Sequence, residues 1–289
     1  MRAVFMGTPD FAVPCLERII SDGHDVAAVF CQPDRPKGRG YNLVPPQVKE
    51  SAVLRGIPVH QPISLKDHGI SALLRRLAPD IIIVVAYGRI LPSEILNLAP
   101  LGCINIHASL LPKLRGAAPI QWSIINGDDK TGITVMKMDK GLDTGDIILA
   151  RETPIYPQET SGELFTRLSA LGADCLSQAI DLLGRGEASF TPQDDSESTY
   201  APMIEKSLGN IDFRRSAAEI VNLVRGLNPS PGAYTFIGER RIKVLRAAAT
   251  NNCDGLVFPC ADGYVELVIV QPEGKKPMEG CAFMRGITS

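Results

Sequence analysis

Ala3-Val4-Phe5-Met6-Gly7 is short, apolar and closed by glycine, which reads as a buried strand. Phe11 to Ser21 follows with apolar residues at helical spacing and stops at Asp22-Gly23. Val26 to Cys31 is then a second buried strand. One β-α-β unit at the very start argues for an α/β fold with a doubly wound, mostly parallel, Rossmann-like sheet. The turn after the first strand is G-T-P-D-F-A rather than G-x-G-x-x-G, and no Walker loop occurs, so nucleotide-cofactor and ATP chemistry are disfavoured.

Working outward, Pro45 to Arg55 and Asp67 to Leu77 read as helices around a short strand at Pro58 to His60. Asp80 to Ala86 (D-I-I-I-V-V-A) carries the strongest central-strand signal and runs into Tyr87-Gly88-Arg89-Ile90-Leu91-Pro92. Ligands of open α/β sheets bind at such carboxyl-end loops. Gly102 to His107 is the next strand. Side chains alternate there, so Asn105 and His107 share one face while Ile104 and Ile106 pack on the other. Two polar groups at a strand end are an expensive choice for a core. Thr131 to Met138 is a further strand, opening into Gly141-Leu142-Asp143-Thr144-Gly145-Asp146. Asp143 is the acid expected to serve His107, with Asp146 serving the turn.

Gln32 to Pro46 is a loop of proline, glycine and charge in which Arg35, Lys37 and Arg39 lie beside Tyr41. Such a loop is either plain solvated surface or an arm that meets a phosphate backbone, and alone it does not decide. Ala117 to Asn126 reads as a helix with Trp122 as packing anchor. Glu159 to Leu183 reads as a long helix starting at Thr160-Ser161 with Glu163 as its capping-box acid.

From Glu187 to about Lys206 the chain is polar and aperiodic, the best linker candidate. The resulting division is 1–187, a linker 188–206, and 207–289. The last part has a helix at Ala217 to Leu227 and short strands at Ala233–Ile237, Arg241–Ala247, Gly255–Pro259 and Val265–Val270, a pattern of small β-barrels. Residues 205–289 hold 11 Lys+Arg against 9 Asp+Glu, and the remainder 19 against 23. The small part is thus slightly basic, the sign of an RNA-gripping module.

Composition adds bounds. With 45% apolar and 21% charged residues and a net charge of -2, the chain is globular and its charge gives no general case for nucleic acid. Seven scattered cysteines, never C-x-x-C, argue against a disulfide framework or a metal site and fit a reducing cytoplasm. The apolar run before Gly7-Thr8-Pro9-Asp10 is too short for a signal h-region and no run approaches the length of a membrane span, so a cytoplasmic protein is expected.

An amide, an imidazole and a carboxylate at strand ends suit acyl transfer between nitrogens. The tetrahedral intermediate carries an oxyanion, and a fixed donor to it contributes roughly 2.7–4 kcal/mol. Asn105 and His107 are such donors, and Asp143 would raise and orient the imidazole or collect a proton through water. A Ser109–His107–Asp143 hydrolase has the residue types, but Ser109 lies two residues from His107 and leads into Leu-Leu-Pro, and no G-x-S-x-G elbow is present.

N-I-H-x-S-L-L-P-x-x-R-G from Asn105, followed by G-L-D-T-G-D from Gly141, resembles the folate-dependent formyltransferase family. M-G-T-P-D-F-A, Q-P-D-R-P-x-G-R-G, V-V-A-Y-G-x-I-L-P and G-A-A-P-I-Q narrow the resemblance to members whose acceptor is an aminoacyl-tRNA. The resemblance runs over nearly the whole chain, N-P-x-P of the C-terminal part included. It implies 10-formyltetrahydrofolate as donor and the α-amino group of initiator methionyl-tRNA as acceptor, in translation initiation. It makes Asn105, His107 and Asp143 the catalytic trio, without a metal. It places Ser109, Leu110, Leu111 and Pro112, with Arg89, Ile90 and Leu91, on the folate. It assigns Arg35, Lys37 and Arg39 to a loop approaching the acceptor stem, and 207–289 to an OB-like tRNA-binding barrel. A monomer is expected. The alternative is a formyltransferase or deformylase acting on a small-molecule amine, which would keep the trio but need neither basic loop nor barrel.

Overall fold

The computed structural model describes residues 1–37, 42–252 and 255–288; Arg39 and Cys253 lie outside the described residues. The chain forms two compact units. The first comprises Met1–Arg115, Gly132–Glu152 and Thr166–Tyr200. Its frame is a seven-stranded sheet of β1 (Arg2–Gly7), β2 (Asp25–Phe30), β3 (Val59–His60), β4 (Ile81–Val85), β5 (Cys103–His107), β6 (Lys130–Lys137) and β7 (Ile147–Pro154). The order is β7-β6-β5-β4-β1-β2-β3. β1 pairs in parallel with β2 and β4, β2 with β3, and β4 with β5. β5 and β6 run antiparallel, with His107 opposite Thr134. The sheet is therefore the mostly parallel, Rossmann-like one that the opening β-α-β predicts.

Alternation along the strands gives each face its core. Along the chain, the helix α2 (Gln47–Leu54) precedes β3 and α3 (His68–Leu77) follows it. Val4, Met6, Ala28, Phe30, Ile82, Val84 and Cys103 join Leu74 of α3 and Ile95 of the single turn Ser93–Leu96. On the opposite face lie α1 (Val13–Ser21), burying Cys15, Leu16 and Ile19, and α4 (Ser161–Arg185). α4 closes on the sheet at Gly172, where a Cβ would stand 3.3 Å from Ile106 Cγ2 and 3.8 Å from Cys15 Sγ. Ile106 thus faces α4, and Asn105 and His107 point to the other side by the two-residue period. The capping box expected at the start of α4 is formed: Thr160 N–H donates to Glu163 Oε2 (2.8 Å) and Glu163 N–H to Thr160 Oγ1 (3.3 Å).

The second unit comprises Gly116–Thr131, Thr153–Phe165 and Ala201–Ser289. Its antiparallel sheet is β8 (Ala233–Ile237), β9 (Arg240–Thr250), β10 (Val257–Cys260), β11 (Gly263–Pro272) and β12 (Met278–Glu279), in the order β8-β9-β11-β10 with β12 on β11. Ile220, Leu223 and Val224 of the helix Ala217–Gly226 pack with Ile242, Val244, Val265 and Leu267 of the sheet. Ser216 and Glu219 form a capping box at its start. The helix Pro119–Ile125 meets it at Gly226, where an added Cβ would fall 2.5 Å from Ile125 Cγ1. Trp122 anchors that helix, its Nε1–H donating to Pro202 O at 2.8 Å.

Burial holds His24 and His60 below the ordinary imidazole range, with the N-terminal ammonium adding to the effect at His24. The folded state therefore favours the neutral rings. Their contribution is present above the unfolded pKa of about 6.5 and is lost as pH falls through the lower folded values. Thermal midpoints are expected to drop between about pH 7 and 5, and His24→Gln with His60→Gln to flatten that slope. An unchanged slope in the double variant would count against this.

Candidate active site

β5 delivers Asn105 and His107, and the turn between β6 and β7 delivers Asp143. His107 is 5% exposed. Its Nε2 lies 2.9 Å from the carbonyl oxygen of Leu114. A carbonyl only accepts, so Nε2 carries the proton and donates, and Nδ1 is the nitrogen turned to the site. Nδ1 stands 3.6 Å from Asp143 Oδ2. That is longer than a normal hydrogen bond and leaves room beside Nδ1 for a reacting group. Asn105 is half-buried, and its carboxamide has no hydrogen-bond partner among the described residues.

The turn that carries Asp143 is tightly built. Asp139 Oδ1 accepts from Gly141 N–H (2.9 Å) and from Thr144 Oγ1 (2.7 Å), so Asp139 is the turn's capping acid. Lys137 N–H donates to Asp146 O at 2.9 Å, tying the turn back to β6. Asp143 has φ 55, the left-handed region that disfavours a side chain and is common at functional positions. The sequence showed two candidate acids in this turn; capping by Asp139, eight residues before β7, was not legible.

Ser109 is buried, and its hydroxyl donates to Lys113 O at 2.6 Å. Its proton is thus committed away from His107, which removes the geometry a serine hydrolase needs. Thr134 Oγ1 donates to Ser109 O (2.7 Å) and accepts from Leu111 N–H (3.1 Å), so β6 fixes the Ser109–Pro112 segment from below. Leu110 and Pro112 are half-buried and Leu111 is buried. In the loop after β4, Leu91 is buried while Ile90 is 87% exposed. Arg89 donates through Nη1 to Ile63 O, whereas its Nε and the Tyr87 hydroxyl are buried without partners among the described residues. Burial pushes the Tyr87 phenol up to about 12, so it stays a neutral donor.

The loop Gln32 to Pro46 is anchored at one end. Lys49 Nζ (2.8 Å) and Gln61 Nε2 (2.7 Å) donate to Asp34, and these bonds lower its pKa, Gln61 contributing most. Arg35–Lys37 pairs with Asn42–Val44 in an antiparallel hairpin. Arg35 is exposed and donates to Gln32 Oε1. A cavity of about 560 Å³ opens between this hairpin and the loop after β1, lined by Thr8, Asp10, Gln32, Arg35 and Ala86.

Cys15 and Cys103 are buried, which pushes both thiols up to about 12 and makes them apolar filler rather than nucleophiles. No group of three or more His, Cys, Asp or Glu among the described residues could hold a metal ion, and no helix among them is long and apolar enough to cross a membrane.

Sequence reasoning passed over Leu114, Arg115 and Gln193. Arg115 stood in the quoted R-G without a role, and Gln193 lies in the polar aperiodic stretch. Gln193 Nε2 donates to Asp143 O (2.9 Å) and Gly145 O (2.7 Å).

Comparison with known proteins matches the chain to a family. A formyl transferase model covers residues 1–180 and a formyl transferase C-terminal domain model residues 203–288. A methionyl-tRNA formyltransferase from Syntrophus aciditrophicus (strain SB) is 48% identical over 296 residues, spanning 98% of this chain and 95% of the relative. Among solved structures, an N-formyltransferase from Helicobacter canadensis in complex with folinic acid and dTDP-3-aminofucose superposes with TM-score 0.70 at 20% identity, over 91% of this chain and 97% of that one. HypX from Aquifex aeolicus in complex with tetrahydrofolic acid gives TM-score 0.68 at 16% identity, over 98% of this chain and 47% of that one. The last two support the fold alone. From the two matched domains and the relative that spans nearly the whole sequence, the chain belongs to the formyl transferase family.

Proposed function

We propose that this chain transfers the formyl group of 10-formyltetrahydrofolate to the α-amino group of methionine on initiator methionyl-tRNA. The observation that carries the reading is the 48% identity to a methionyl-tRNA formyltransferase along 98% of the chain. The pinned His107 beside Asp143 and the half-buried Asn105 amide support it with a site of the right chemistry.

The amine nitrogen attacks the formyl carbon and a tetrahedral intermediate forms. Asn105 Nδ2–H and His107 Nδ1–H donate to its oxyanion. The bond from the formyl carbon to N10 of the folate then breaks. N10 gains a proton and the new amide nitrogen loses one, so the exchange balances without an outside acid or base. Asp143, facing Nδ1, orients the imidazole and relays the proton through water. Ser109–Pro112 and Arg89–Leu91 line the folate side, where the exposed Ile90 and Leu142 offer apolar area to a pterin.

The acceptor is a polyanion, and Arg35, Lys37 and Arg39 are the residues proposed to meet its stem. The domain 207–289 is proposed as the OB-like tRNA-binding module, joined through 188–206 to the catalytic domain 1–187. The two family matches, 1–180 and 203–288, support that division. The protein is proposed to act in the cytoplasm as a monomer. The second reading, a small-molecule amine as acceptor, makes a different prediction on salt. Formylation of methionyl-tRNA should weaken steeply between 50 and 200 mM salt, since each phosphate contact adds about one to the slope. Arg35→Ala combined with Arg39→Ala should raise KM for tRNA and flatten that slope by about two, with folate affinity kept. Salt-insensitive turnover of a small amine, with none on methionyl-tRNA, would favour the second reading instead.

A further inference from the structure

Residues Thr191 to Thr199 lie in the stretch whose sequence carries no periodicity, yet they bond to the supports of both His107 and Asp143. The segment begins against β7: Ile147 and Thr191 exchange backbone hydrogen bonds at 2.8 and 2.9 Å. Two residues on, Gln193 Nε2 donates to the carbonyls of Asp143 (2.9 Å) and Gly145 (2.7 Å). Its Oε1 accepts from Arg115 Nε (3.1 Å) and Nη2 (2.8 Å). The amide orientation is fixed by chemistry, because guanidinium only donates and carbonyls only accept. Arg115 is held in turn by Asp195 Oδ1 at 2.7 Å and is itself 11% exposed. The segment ends at Thr199, whose Oγ1 accepts from Leu114 N–H (2.8 Å) and whose carbonyl accepts from Arg115 N–H (2.9 Å). Leu114 is the residue whose carbonyl pins His107.

We propose that Gln193 is a positioning residue for formyl transfer: clamped by Arg115, its carboxamide holds the Asp143 turn at the distance from His107 that the reaction uses. The proposal rests on the reading of Asn105, His107 and Asp143 as the catalytic trio. Asp143 needs such a hold because its backbone is in the left-handed region, and a turn released from Gln193 can relax away from the imidazole. Gln193 touches no reacting atom. It acts through Asp143, so its loss should change the rate rather than substrate affinity.

The test compares Gln193→Met, Gln193→Glu, Asp143→Asn and the double variant Gln193→Met/Asp143→Asn in the full chain. Glu keeps the shape and the Arg115 bonds but cannot donate to the two carbonyls, so it carries the test if the Met variant fails to fold. Either single Gln193 variant is expected to lower kcat about 10–100-fold with both KM values within about twofold of wild type. On the Asp143→Asn background, Gln193→Met should add less than about twofold. A wild-type kcat in the folded Gln193 variants beside an inactive Asp143→Asn would overturn the proposal alone, as would a full multiplicative loss in the double variant. An Asp143→Asn protein at wild-type rate would overturn the trio reading and the proposal with it.

Discussion

Asn105→Ala is expected to lower kcat for formyl transfer by about 10²–10³-fold while folate affinity stays within a few-fold, because the amide donates only to the oxygen that becomes negative. Its carboxamide makes no hydrogen bond among the described residues, so truncation breaks no internal partner and the protein should keep its stability. His107→Ala should lose at least as much. It removes a second donor to the same oxygen and leaves the Leu114 carbonyl without its ring partner. The two losses should not multiply, since both residues serve one oxyanion. Single-turnover rates on charged tRNA, with folate affinity measured separately, check this. A tenfold or smaller effect of Asn105→Ala on kcat would deny the amide its role.

Gly145→Ala is expected to be nearly as damaging, for a reason of space. A Cβ at this position would stand 1.7 Å from the carbonyl oxygen of Lys137 and 2.8 Å from its carbon, both backbone atoms of β6. The Asp143 turn must then move off the strand by more than about 1 Å, enough to cost roughly 10²-fold in rate. Overpacking against backbone adds about 1–3 kcal/mol of destabilisation, read as a lower Tm by several degrees. Gly184→Ala serves as the control. Among the described residues its Cβ would meet only the end of the Met1 side chain, Cε at 3.6 Å and Sδ at 3.8 Å, and in a helix alanine is the better residue. A Gly145→Ala enzyme with wild-type kcat would show that the turn's position is not critical.

The sheet was legible where burial is two-sided. β1 and β4 are continuous apolar runs, and their lengths and closing residues announce strands. β7 was passed over: Ile147 to Pro154 starts apolar but continues A-R-E-T-P, with one face exposed as the outermost strand in the sheet order. The closing helix Gly280–Thr288 was also passed over, since two glycines interrupt a nine-residue pattern. Within the site, Asn105 and His107 were legible from the two-residue period of a strand, and Asp143 from its place in the turn after the next strand. Nothing local marks Gln193. It bonds to residues 48 and 50 positions away in a stretch without periodicity, and a contact of that separation is written only in the fold. The same holds for Leu114, which serves His107 through its carbonyl, an atom every residue possesses.

The most direct measurement is a rapid-quench reaction of the wild-type protein with 10-formyltetrahydrofolate and stoichiometric charged initiator tRNA, followed by identification of the formylated group. Formyl on the methionine α-amine, formed in a single exponential that Asn105→Ala and His107→Ala each slow by at least about 10²-fold, is the predicted result. Unmodified methionyl-tRNA at the end of the wild-type reaction, or formylation that proceeds at the same rate in both variants, would contradict it.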